Sequence, residues 1–306
     1  MKNGILKLKE YGNKNKKKKM KGKIKHLDFY VRETLSNLER WKYPRIEIEK
    51  DDKNLFLGSG NAGSVAKIFA EKFNGVALDA SSYKMFLERS IKRDFASIYI
   101  INASGGKDGY NMAKYIEEMN LRSNLITCNK DAPAKEFVDK ISLIPALKEP
   151  PTYNVSTYSS MIYWLFRENV SEIKELIDKL KIPDLRRYKY IFFLAADKFQ
   201  NIAEMTSEKI AETLEGIGSN SDGFTNAFHG ILRQPNKDRL IFCLNQKCPL
   251  KDRENIYELN TNSYLGLLLG TYYVIGKNQT DRDTENLLKN YQETAKALDW
   301  KIKKIF

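Results

Sequence analysis

From Leu55 to Phe73 the chain reads LFLGSGNAGSVAKIFAEKF, an apolar run that breaks at Gly58-Ser59-Gly60-Asn61 and resumes with Ala66, Phe69, Ala70 and Phe73 at helical spacing. Strand, small-residue loop and helix start follow one another, which is the local grammar of a parallel α/β sheet. The loop can also be a phosphate cradle. Backbone N–H groups left free by the first helical turn point into it, and Gly58, Gly60 and Gly63 let an anion approach the main chain. The competing reading is a loop that only turns the chain.

A second unit of the same kind lies about 40 residues on. Ala96 to Ile101 (ASIYII) is a β-rich run closed by Asn102-Ala103-Ser104-Gly105-Gly106-Lys107 and followed by Tyr110, Ala113 and Ile116 at helical spacing. Ser104 can donate a hydroxyl and Lys107 a full charge at a helix start, so the two loops could grip one phosphate. Equally, Asn102 to Gly106 can be a plain turn and Lys107 a solvated side chain.

The alternation continues. Strands are expected at 54–58, 75–79, 96–101, 123–128 and 139–144, preceded by an amphipathic helix from Leu27 to Trp41. Pro145, Pro150 and Pro151 mark a link, after which Asn154 to Phe166 and Ser171 to Leu180 read as helices. Tyr188 to Ala195 (YKYIFFLA) then runs into a long helix and repeats the layout of Leu55 to Phe73, a weak internal repeat. Arg239 to Asn245 is a further strand, Tyr264 to Gly276 a buried helix, and a polar helix starts at Asp281. The expected architecture is α/β with two lobes, each a parallel sheet flanked by helices, the second shortened. The divisions fall at 1–26, a flexible basic leader; 27–150, the first lobe; and 151–306, a helical link, the second lobe and a C-terminal helix.

Composition narrows the partners. The 306 residues are 42% apolar, enough for a sizeable core, and the longest apolar stretch, Tyr264 to Gly276, is too short to span a bilayer. Net charge is +13, but residues 1 to 26 hold 11 Lys and one Glu and so carry most of it. The run Lys16 to Lys19 has no arginine or aromatic residue interleaved, which argues against specific nucleic-acid readout. The leader lacks the apolar core of a secretory signal. Cys128, Cys243 and Cys248 are scattered and odd in number, which argues for a reduced, cytoplasmic protein without a disulfide framework or a zinc site. No residue cluster implies a metal or an organic cofactor.

On the long helix after Ala195, Lys209 and Glu212 stand three apart and share a face. Alone they read as a solvated ion pair as readily as a catalytic one. His229, in NAFHGI, is the only histidine outside the leader, and a loop histidine often packs or caps.

Together these residues carry a resemblance. Ile202-Ala203 through Lys209 and Glu212, followed by Phe228-His229-Gly230, resembles the second-lobe signature of the sugar isomerase (SIS) domain family, and is similar to the isomerase half of the glutamine–fructose-6-phosphate aminotransferases. Asp281 to Lys289 (DRDTENLLK) resembles that family's DxDxxxNLxK tail. The resemblance covers roughly residues 27 to 290 and implies tandem SIS lobes in a homodimer. It implies that Ser59, Gly60, Asn61, Asn102, Ser104, Gly105, Lys107, Ser156 and Thr157 hold the phosphate of a phosphorylated sugar or amino sugar. Glu212 falls on the base that moves a proton between C1 and C2. His229 falls on a ring-opening group often supplied by the neighbouring subunit, and Lys209 and Lys289 fall on active-site lysines. These residue types suit the chemistry: a carboxylate shuttles the proton, an imidazole works on a hydroxyl, and an ammonium steadies an enediolate.

The implied activity is an aldose–ketose isomerase or an amino-sugar-phosphate deaminase or deglycase, with no membrane partner and no cofactor. Departures from the pattern keep a non-catalytic sugar-phosphate sensor open. Ala62 stands where the family has a phosphate-binding serine, Asn102 and Lys107 replace hydroxyl residues, and Met205 replaces a carboxylate. The stretch between Asn245 and Ile256 is short by a βα unit, and the chain continues past Lys289 to Phe306. No glutaminase segment precedes the first lobe, so nitrogen transfer from glutamine is not expected.

Overall fold

The structure, a computed structural model, describes residues 24–89, 95–227, 236–249 and 255–297. In chain order its elements are α1 (Leu27–Asn37), β1 (Asn54–Gly58), α2 (Asn61–Phe73), β2 (Val76–Asp79), α3 (Tyr83–Arg89), β3 (Ser97–Ile101), α4 (Lys107–Glu118), β4 (Ser123–Thr127), β5 (Lys140–Leu143), α5 (Val155–Phe166), α6 (Val170–Lys179), β6 (Tyr190–Ala195), α7 (Gln200–Thr213), β7 (Gly218–Gly223), α8 (Phe224–Ala227), β8 (Arg239–Leu244), β9 (Asn255–Leu259), α9 (Tyr264–Asn278) and α10 (Asp281–Ala297). Among the described residues the strands form two parallel sheets, one of five strands in the order β2-β1-β3-β4-β5 and a smaller one of four in the order β7-β6-β8-β9.

Why these strands are parallel and covered is legible in their side chains. In the first sheet Phe56, Tyr99 and Ile126 face one side, while Leu55, Leu57, Ile98, Ile100 and Leu125 face the other, the period-two alternation of a pleated strand. Both faces are apolar because both are buried, as a parallel sheet with crossover helices requires. The second sheet does the same with Ile191, Phe193, Phe242 and Leu244 on one side and Phe192, Leu194, Ile241 and Cys243 on the other.

The inner faces of both sheets meet a single helical layer, so one hydrophobic core runs from Phe56 and Phe69 through Trp164 to Phe193 and Phe242. Its centre is α9, on which every residue from Leu265 to Gly276 is buried. It packs on α1, α5, α6 and α7. Each fully buried leucine there contributes about 1.5–3 kcal/mol. Gly276 is what lets α1 in: a Cβ at that position would stand 2.1 Å from the Asp28 backbone nitrogen. The α1–α9 contact is completed by Leu27 N–H donating to Gln279 Oε1 at 2.8 Å and by the Lys277–Asp28 ion pair at 2.8 Å. Among the described residues no helix is long and apolar enough to cross a membrane.

Two strands differ from expectation. β7 (GSNSDG) carries no apolar alternation and is held as an edge strand by its parallel register with β6. β9 (NIYEL) pairs β8 on the opposite edge. The first helix ends at Asn37, three turn residues short of Trp41.

Candidate functional site

The β1–α2 connection is as tight as the sequence demands. A Cβ on Gly58 would lie 2.3 Å from the Ala62 carbonyl oxygen, so strand end and helix start touch backbone to backbone. Gly60 sits at φ +54°, and the N–H groups of Gly63 and Ser64 both return to its carbonyl. Asn61 opens α2 almost fully buried, and its Oδ1 has no hydrogen-bond partner among the described residues.

Opposite this loop lies α7, from the other lobe. Its residues Glu204, Glu208 and Glu212 recur every fourth position and therefore line one face. Glu204 accepts from Ser64 Oγ at 3.2 Å and from Lys67 Nζ at 2.7 Å. Glu208 Oε2 stands 3.6 Å from where a Gly60 Cβ would be. Burial, and then the Glu212 charge, push the Glu208 carboxyl above its ordinary value.

Glu212 closes the column in an ion pair with Lys209. Lys209 is 0% exposed, and its Nζ donates to Glu212 Oε2 at 2.5 Å and to the Thr152 carbonyl at 2.5 Å, over the Tyr272 ring. A buried ammonium held this way is no solvated surface pair, the outcome that spacing alone left open. The segment that receives it is strained: Thr152 lies at φ +72° and Asn154 at φ +47°. Left-handed backbone at a β-branched residue costs on the order of 1–3 kcal/mol and persists only where the surroundings impose it.

Beyond that turn α5 begins. Ser156 and Thr157 are both buried. The first N–H groups of this helix are taken: Val155 and Ser156 donate to Glu149 at 2.6 Å and 2.7 Å, and Ser156 Oγ accepts from Leu147 N–H at 2.8 Å. Burial raises the Glu149 carboxyl, while its helix N–H partners and Lys209 pull the other way. Next to it, burial pushes the Cys128 thiol up to about 12, against a hydrogen bond with Thr157.

The second loop is likewise engaged with itself. Asn102 Oδ1 accepts from Gly105 N–H at 2.7 Å and Ser104 Oγ accepts from Gly106 N–H at 3.1 Å. Lys107 is exposed, 4.0 Å from Asp108. Asn102 thus occupies the Gly105 N–H with its own side-chain oxygen.

Ser59, Gly60 and Asn61 therefore face the Glu204–Glu212 column, Lys209 and Glu212 meet beneath the turn into Ser156 and Thr157, and Asn102, Ser104, Gly105 and Lys107 form the neighbouring strand-end loop of the same sheet. Lys289 does not join them. Its side chain is 71% exposed beside Glu293, away from the buried Lys209. His229 lies outside the described residues. The sequence reading missed Glu149, Thr152, Glu204, Glu208 and Tyr272; the four-residue spacing of the glutamates was the one available signal.

No family model and no curated protein sequence matches the chain. Solved structures do. Glucosamine-6-phosphate deaminase from Thermotoga maritima is similar with a TM-score of 0.54 at 14% identity, over 86% of this chain and 91% of that one. The C-terminal domain of glucosamine-fructose-6-phosphate aminotransferase from Francisella tularensis matches with a TM-score of 0.56 at 12% identity, over 86% and 95%. Tagatose-6-phosphate ketose/aldose isomerase from Escherichia coli matches with a TM-score of 0.56 at 12% identity, over 82% and 86%. At such identities the likeness carries the fold, and the fold is the SIS type expected from the sequence.

Proposed function

We propose that the chain acts on a phosphorylated sugar or amino sugar, as an SIS-type aldose–ketose isomerase or an amino-sugar-phosphate deaminase or deglycase. The observation that carries the reading is the fully buried Lys209, whose ammonium is delivered to Glu212 in the acidic column that faces the 59–61 loop. Burying an unneeded charge is expensive, and this one is placed beside a carboxylate that solvent still reaches.

In the open-chain sugar Glu212 removes the C2 proton, and the C–H electron pair becomes the C1=C2 bond of an enediolate. The Lys209 ammonium offsets the charge on its oxygen. As the hydroxyl proton passes from O2 to O1, the Glu212 carboxylic acid returns its proton to C1, so no electrons are gained or lost. The reading also includes tandem SIS lobes and a homodimer whose neighbouring subunit supplies His229 for ring opening.

The state of the loops favours a second reading, a non-catalytic sensor. Asn102 and Ser104 occupy loop N–H groups, and Glu204 occupies Ser64. One experiment separates the two: incubation with hexose 6-phosphates and hexosamine 6-phosphates in D2O, with deuterium entry at C2 followed by NMR. An enzyme exchanges with one member and loses exchange, but not binding, on Glu212→Gln. Binding without exchange in the wild type identifies a sensor, and neither binding nor exchange refutes both.

A further inference from the structure

The two lobes each lead a parallel strand through a short turn into a helix, β1 to α2 and β6 to α7, and those two helices pack against each other. Aligned on the strand ends Gly58 and Ala195, Lys67 and Glu204 are each other's counterparts. These two residues form an ion pair at 2.7 Å, so the pair maps onto itself, as it must where an internal two-fold axis passes. The same alignment places Glu71 at the position of Glu208, Gly75 at that of Glu212, Asn201 at that of Ser64 and Asp197 at that of Gly60.

Those four counterparts line one cavity. A cleft of about 410 Å3 lies between the lobes, walled by Lys67 and Glu71 on α2, by Gly75, and by Asp197, Asn201 and Glu204 on the β6–α7 side. Its size falls within the roughly 300–1,000 Å3 of small-molecule sites. We propose that this cleft is a second ligand site, the internal-symmetry twin of the candidate active site, and that it takes a small cationic polyol without turning it over. Turnover is excluded by what the symmetry puts there: Gly75 stands at the counterpart of Glu212, and Lys72, the counterpart of Lys209, has its Nζ 5.1 Å over the Phe166 ring.

The preference for a cation follows from the charges. The lining sets one lysine, Lys67, against three carboxylates, Glu71, Asp197 and Glu204, so the cleft carries an acidic excess. Glu71 is held by Asn201 Nδ2 at 2.8 Å and by the Tyr264 hydroxyl at 3.3 Å, and burial raises it. Asp197 receives the Thr225 N–H at 3.0 Å and its hydroxyl at 2.6 Å, which lower it and keep it charged. Each carboxylate retains lone pairs for a donor-rich ligand, and the Asn201 and Gln200 amides can bond hydroxyls.

The test titrates the full chain with D-glucosamine and, as the uncharged control, N-acetylglucosamine, reading saturable NMR shifts. Glucosamine is expected to bind the wild type and Glu212→Gln alike, and to weaken roughly tenfold in Asp197→Asn and Glu71→Gln and with the acetylated control. Asp197 is exposed, so its isosteric amide leaves folding intact, and a thermal melt of each variant checks this. Absence of saturation by about 10 mM overturns the proposal. So does equal binding of the acetylated sugar, or binding that Glu212→Gln abolishes and Asp197→Asn does not, which would put the ligand in the candidate active site. Because no variant here is scored by turnover, failure of the proton-shuttle reading leaves this outcome unaffected.

Discussion

Replacing Lys209 by Met keeps the length of the side chain and removes its charge. Three consequences add. The Thr152 carbonyl loses its donor, worth about 1–2 kcal/mol for a half-buried acceptor. Glu149, almost wholly buried, loses the cation that offsets its burial, and Glu212 loses its partner. Breaking a buried pair costs about 3–5 kcal/mol, but Glu212 is 35% exposed and water takes over part of the deficit. The thioether returns about 1–2 kcal/mol of apolar burial. The net expectation is a loss of about 2–4 kcal/mol, which lowers Tm by roughly 3–6 °C in a chain of this size. The pH dependence has a definite sign. Glu149 has a native carboxyl raised above its ordinary 4.5, so the unfolded chain gives up that proton first as pH rises, and its contribution to stability falls through the window above 4.5. Without Lys209 that carboxyl rises further, so the variant's deficit is larger at about pH 7.5 than at about pH 5. Thermal melts at both pH values measure it. A variant that melts within about 1 °C of the wild type at neutral pH, or whose deficit grows towards acid, refutes the buried-pair account.

Other consequences are simpler. Gly276→Ala drives a methyl into the Asp28 backbone, so α1 should be displaced, with faster amide exchange over 27–37 and a loss of more than about 2 kcal/mol. Asn102→Ala should free the Gly105 N–H, cost about 1–2 kcal/mol in denaturant unfolding and, if the loop is a phosphate cradle held shut, tighten inorganic phosphate binding seen by NMR. Lys289→Ala should change stability by less than about 0.5 kcal/mol, because its partner Glu293 is itself solvent-exposed.

What the sequence disclosed follows from how each element is stabilised. β1 and β3 are buried on both faces and so are written as apolar runs bounded by loops. β7 is specified by its partner: a Gly-Ser-Asn-Ser-Asp-Gly edge becomes a strand because β6 offers it a row of hydrogen bonds, and no local pattern records that. The same split runs through the site. Lys209 and Glu212 are neighbours on one helix and could be paired from spacing, whereas Thr152 meets Lys209 across 57 residues of chain, a contact that exists only once the packed fold brings them together. Lys289, matched by motif alone, has a side chain that its helix turns to solvent beside Glu293.

The position of α9 has a consequence for synthesis. The ribosome makes α1, α5, α6 and α7 before α9, yet all four rest on it. Until Tyr264 to Asn278 has emerged, the faces of α1, α5, α6 and α7 that pack on it lack their cover. The helical layer has no finished centre before that moment, so folding is expected to complete in one late, slow step, and to depend until then on whatever shields apolar surface in the cell.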